Sequence, residues 1–149
     1  MNIVNTDLIC IALAILCGGA IGLEREIRGK SAGLRTNVLI CIGAAVFTII
    51  SERMAGPGDS ATRIAAQIVT GVGFLGAGAV IQDRGGVHGL TTAATIWLVA
   101  SIGMACGIRL YSLALALTAV SLGILLGLAK LDKAIAKIRK KSKPSDSLE

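Results

Sequence analysis

Glu24, Arg25 and Glu26 follow directly on an apolar run, Gly18-Gly19-Ala20-Ile21-Gly22-Leu23. A carboxylate at the edge of hydrocarbon is costly unless paired, and ionisable groups at that depth are often functional. Arg28, Arg35 and Thr36 come next in the same stretch. Asp83, Arg84, His88, Thr91 and Thr92 form a second one. If two helical hairpins bring both stretches to one end of a bundle, Glu24, Arg25, Arg35, Thr92 and Asp83 should make one hydrogen-bonded polar cluster. That cluster is a candidate ligand or ion site. Mg²⁺ takes one or two carboxylates and keeps several waters. Glu24, Glu26 and Asp83 have the chemistry for this, but no spacing demands it, so the metal stays unassigned. Gln67 and Thr70 lie inside an apolar run, where a buried amide needs partners. Either they bond between helices or they line a polar path. His88, among Gly85, Gly86 and Gly89, reads as a solvated loop histidine.

Other motifs carry less. Gly71-Val72-Gly73-Phe74-Leu75-Gly76 fits G-x-G-x-x-G. A dinucleotide site needs a preceding strand, a helix opening at the motif and an acid about 20 residues on. Here the motif sits within an apolar segment, with no acid between Arg63 and Ile81. Gly71, Gly73, Gly76 and Gly78 read instead as a groove for helix packing. Cys10, Cys17, Cys41 and Cys106 all lie in apolar stretches, without a CxxC, and one histidine cannot complete a zinc site with them. They read as small packing residues. No nucleophile–base pattern and no phosphate loop is present, so neither an enzyme nor a cofactor is expected.

The elements that must position these residues are five apolar stretches: Leu8–Leu23, Thr36–Ser51, Ile64–Ile81, Leu90–Cys106 and Leu110–Ala129. Each has 16 to 20 residues, near the length that crosses a ~30 Å hydrocarbon layer as a helix. Mean hydropathy is +0.77 and only 16% of residues are charged, against about 25% in soluble domains. The expected fold is therefore an all-α membrane protein with five transmembrane helices. Asp7 is placed to cap the first. Gly56-Pro57-Gly58-Asp59 reads as a turn. Glycine pairs at Gly18/Gly22, Gly103/Gly107 and Gly123/Gly127 let helices approach closely. They exceed what five helices need internally, which predicts a homodimer. An offset of 56 places Gly22 on Gly78, Arg28 on Arg84, Gly33 on Gly89 and Thr36 on Thr92. This suggests a parallel repeat of two hairpins about the membrane normal.

The net charge of +6 is segregated by loop and does not indicate nucleic acid. With the N-terminus outside, twelve Lys and Arg fall on the inner side and three on the outer. The positive-inside rule then puts the C-terminus in the cytoplasm. The start lacks a basic n-region and reads as a first membrane helix rather than a cleavable leader. Residues 1–129 form the transmembrane domain and 130–149 a basic tail. Lys130–Lys141 in that tail predicts an amphipathic helix that touches anionic lipid, and Lys143 onward predicts a disordered end.

At these residues the chain resembles the bacterial MgtC/SapB family. The matching stretches are Gly18 to Glu26, then Ala32-Gly33-Leu34-Arg35-Thr36, then Arg63 to Gly78, and Val87-His88-Gly89-Leu90-Thr91-Thr92-Ala93-Ala94 followed by Trp97. The resemblance implies a multi-pass inner-membrane protein tied to magnesium limitation and, in pathogens, to virulence and survival inside host cells. It implies a regulator of another membrane complex, with the F-type ATP synthase as the family's usual candidate. A transporter or ion-coupled permease for Mg²⁺ or protons is the other class. Longer members carry a soluble C-terminal domain, and this chain is expected to be a short member without it. Asn37 stands where a histidine is common in the family.

Overall fold

The computed structural model describes residues 3–55, 62–83 and 86–141, with side chains except at residues 3, 62–64, 82–83 and 129–141. The turn expected at Gly56–Asp59, the Arg63 and Arg84 side chains, the tail side chains and the end from Lys143 lie outside that description. In hydrocarbon every backbone N–H and C=O must be satisfied within the chain, which favours uninterrupted helices. The order is α1 (Ile3–Ile27), α2 (Leu34–Met54), α3 (Thr62–Gly78), β1 (Ile81–Asp83), β2 (Gly86–His88), α4 (Leu90–Gly107) and α5 (Tyr111–Lys141).

Four helices contain segments long and apolar enough to cross a membrane: Val4–Ile27, Leu34–Met54, Leu90–Gly107 and Tyr111–Leu128. The apolar part of α3, Ala65–Gly78, is shorter. The stretch expected as one helix to Ile81 divides. Tight turns close it, with the Ala79 and Val80 N–H groups donating to Gly76 and Ala77 carbonyls at 3.1 Å. An antiparallel hairpin then pairs Ile81 with His88 and Asp83 with Gly86. Gly89 follows with φ +89°, and a Cβ there would run into the Ala79 carbonyl. Only glycine joins the hairpin to α4 without strain.

The Asp7 cap is corrected. Helix α1 already runs from Ile3, and Asp7 is ion-paired with Arg53 at the end of α2. Arg109, in the short link from α4 to α5, pairs with Glu52. It holds φ +65°, the position at a helix C-terminus where glycine is usual. The Arg109 and Leu110 N–H groups close that turn on the Cys106 and Ala105 carbonyls. Two ion pairs thus mark one end of the bundle, and Glu24 and Arg25 lie at the other.

Helices α1, α2 and α4 form the centre. Cys10, Ala14, Cys17, Ile21, Cys41, Ala45, Val99, Ile102 and Cys106 are buried there. Lipid tails are as apolar as leucine, so close van der Waals packing rather than burial from water holds such helices together. Small residues make that approach feasible. A Cβ at Gly18 would lie 2.7 Å from Cys41 Cβ, and one at Gly22 2.8 Å from Leu34 Cα. A Cβ at Gly103 would strike the Cys41 carbonyl, and one at Gly107 the Ala45 carbonyl at 2.6 Å. All four cysteines are free and buried. Two buried hydroxyls are satisfied within their own helices: Thr48 donates to Ala44 at 2.7 Å and Thr118 to Ala114 at 2.8 Å.

The glycine groove expected on α3 is corrected. Gly71, Gly73 and Gly78 have open space where a side chain would stand, and Gly76 alone of the four meets a neighbour, Ala93. Gly123 and Gly127 on α5 are equally open among the described residues. Of the positions 56 apart, Leu34 and Leu90 each open a helix behind Gly33 and Gly89, but the likeness does not extend further. Gly22 is packed and Gly78 open, and Gly33 is extended where Gly89 is left-handed. Helix α5 continues across Ala129–Lys130, so the expected membrane helix and tail helix are one element.

Candidate functional site

The last turns of α1 are covered by the α1–α2 link and by the start of α4. Arg25 is only 3% exposed and Glu24 7%. Arg25 Nη2 donates to Thr92 Oγ1 on α4 at 3.3 Å, and Nη1 lies 3.7 Å from Glu24 Oε2. Arg28, one turn on, pairs through Nε with Glu24 Oε1. Two guanidiniums therefore face one carboxylate. Among the described residues neither oxygen of Glu24 has an aligned hydrogen bond, and Arg25 Nε has none either. An added cation at Glu24 would be opposed by both arginines. Arginine holds its proton in proteins, so Arg25 is unsuited to relaying one. The arrangement locks α1 to α4.

A second set organises the start of α2. Glu26 Oε2 accepts the Leu34 N–H at 2.9 Å, satisfying one of the donors a helix start leaves open. A side chain at Gly33 would displace that carboxylate. Asn37, fully buried, donates through Nδ2 to the Ala32 and Gly33 carbonyls, both at 2.8 Å. Its Oδ1 has no partner among the described residues.

The expected cluster is thus partly assembled. Glu24, Arg25 and Thr92 come together; Glu26 caps α2 instead. Arg35 and Thr36 are exposed on the first turn of α2, because Arg28 occupies the place beside Glu24 foreseen for Arg35. Asp83 does not close α3: the helix stops at Gly78 and Asp83 ends strand β1. His88 ends β2 and is exposed. Thr91 is exposed too, and its carbonyl accepts the Thr95 hydroxyl at 2.7 Å. Gln67 is not buried. It lies on the open side of α3, where that helix and α2 border a groove of about 550 Å³. Among the described residues no three His, Cys, Asp or Glu side chains converge as a metal site would require. Arg28, which the sequence placed in the same stretch as Glu24, and Asn37, which it did not place in the cluster, complete the arrangement. Their signals were the i, i+4 spacing from Glu24 and a lone amide entering an apolar run.

These features define a multi-pass helical membrane protein with a locked polar junction at one end. Residues 11–134 match the model of the MgtC family, and the chain belongs to that family. Protein MgtC of Brucella abortus (strain 2308) is 52% identical over 103 residues, 69% of this chain and 43% of that protein. Protein MgtC of Salmonella typhimurium (strain LT2) is 52% identical over 109 residues, 73% of this chain and 46% of that protein. The chain spans less than half the length of these relatives. No solved structure matches.

Proposed function

We propose that the protein is a non-enzymatic regulator in the bacterial inner membrane. It acts in adaptation to low magnesium, and in pathogens in survival within host cells, by binding another membrane complex such as the F-type ATP synthase. The observation that carries this reading is the closed centre of the bundle. Helices α1, α2 and α4 meet backbone to side chain at Gly18, Gly22, Gly103 and Gly107, which leaves no width for a hydrated path between them. The large apolar side chains point outward instead, as at Phe47, Phe74 and Leu128. Such a body offers surfaces rather than a conduit. Association as a homodimer through Gly123 and Gly127 on α5 fits their open setting.

Proteoliposomes loaded with a Mg²⁺ or a proton indicator test the reading. The expected flux equals that of protein-free vesicles, and net transport of either ion would favour a permease. In inverted membrane vesicles, added protein is expected to change ATP-driven proton pumping. Pumping unchanged at saturating protein would remove the ATP synthase as the partner.

A further inference from the structure

The groove between α2 and α3 does not end in the apolar zone. Its apolar part, bordered by Leu39, Gly43 and Phe47 of α2 and by Gly71 and Leu75 of α3, opens into a second hollow. The two share Leu39, Ile40 and Leu75. That hollow shares Ser31, Arg35 and Thr36 with a third, which also reaches Lys30. One continuous furrow therefore runs from walls that are apolar except for Gln67 to a mouth with two cations and two hydroxyls. All four mouth side chains are exposed. Glu26, the acid at the mouth, is held against the Leu34 N–H, and the first turn of α2 leaves further N–H groups open there. From Arg35 to Phe47 the helix rises ~18 Å, close to one leaflet of a ~30 Å hydrocarbon core.

We propose that this furrow is a binding site for one anionic phospholipid. An acyl chain lies along Leu39, Gly43 and Leu75, and the phosphate sits among Lys30, Ser31, Arg35 and Thr36. The chemistry is complementary at both ends. A chain needs an apolar trough of leaflet length, and a headgroup phosphate needs cations and donors at the depth where the trough ends. The mouth shares its end of the molecule with Glu24 and Arg25, the end to which the charge count assigns the cytoplasm. That is the leaflet whose surface carries negative potential. Gly43 and Gly71 widen the trough, since none of the described residues approaches the place of their missing side chains.

Native mass spectrometry of the full chain, released from micelles containing phosphatidylglycerol or phosphatidylcholine, tests this. One phosphatidylglycerol per chain is expected to be retained, about thirtyfold more tightly than phosphatidylcholine given two basic side chains at the headgroup. Lys30→Gln with Arg35→Gln should abolish that preference. Gly71→Phe should abolish retention of both lipids while leaving the charges in place, and neither change touches a packed residue. Neutralising Lys137, Lys140 and Lys141 in the tail should leave the preference intact. Glycerol 3-phosphate, a headgroup without chains, should not displace the lipid. Equal retention of the two lipids overturns the proposal, and so does a preference that disappears with the tail charges. A Gly71→Phe variant that changes the oligomeric mass while retaining lipid would also overturn it, because a helix would then fill the groove.

Discussion

Arg25 divides its guanidinium between two helices, and this decides which nearby substitutions matter. Arg25→Ala leaves Glu24 buried beside Arg28 alone and Thr92 without its donor. Breaking a buried pair from one side costs roughly 3–5 kcal/mol. Thermal unfolding in detergent should show that loss for Arg25→Ala, a smaller one for Glu24→Gln, and none for Arg35→Ala. A silent Arg25→Ala would mean that the junction does not hold the bundle. The sequence announced Glu24 and Arg25 because charges directly after an apolar run must find partners, and Thr92 followed from the antiparallel order of helices. Arg35 was placed wrongly because residue order gives depth along a helix but not rotation about its axis. Arg28, at i+4 from Glu24, already stood on the right face.

At the level of the helices, the glycine pairs separate into two kinds that look alike in sequence. Gly18/Gly22 and Gly103/Gly107 meet a neighbouring helix, whereas Gly71 and Gly123/Gly127 meet open space. Spacing shows that a helix has a smooth face; it does not show which neighbour, or whether any, lies against it. Gly103→Ala should therefore cost roughly 1–3 kcal/mol by overpacking against Cys41. Gly71→Ala should be neutral or gain up to about 1 kcal/mol of helix propensity. Equal effects in a denaturation series would refute the division. Gly123→Leu with Gly127→Leu should lower dimer content in chemical crosslinking from native-like membranes, with unfolding temperature unchanged. The hairpin Ile81–His88 was not legible as strands. Three residues a side give too short an alternation to read, and Gly85-Gly86 suggested only a loop.

For the whole molecule, the succession of apolar helices was readable because the bilayer fixes both their length and their composition. The short reach of α3 was not readable, since Ala77-Gly78-Ala79-Val80-Ile81 stays apolar past the helix end. The two ends of the bundle carry different chemistry: ion pairs Asp7–Arg53 and Glu52–Arg109 at one, the Arg25 junction at the other. The twelve-to-three division of basic residues predicts that the second end faces the cytoplasm. A reporter active only in the cytoplasm should give signal when fused after Ser142 and none when fused before Asn5. The reverse pattern would invert the molecule.

The continuity of α5 has a mechanical meaning. Its 31 residues extend ~46 Å at 1.5 Å each, well beyond the hydrocarbon, and no break at Ala129 lets the two parts move independently. Its lipid-soluble portion, Tyr111–Leu128, is only ~27 Å long. A thicker membrane must draw the first basic turn down to the surface, and a thinner one must tilt the rod or push that turn outward. In an unbroken rod, bilayer thickness on one side of Ala129 and the height of the cationic segment on the other would be coupled.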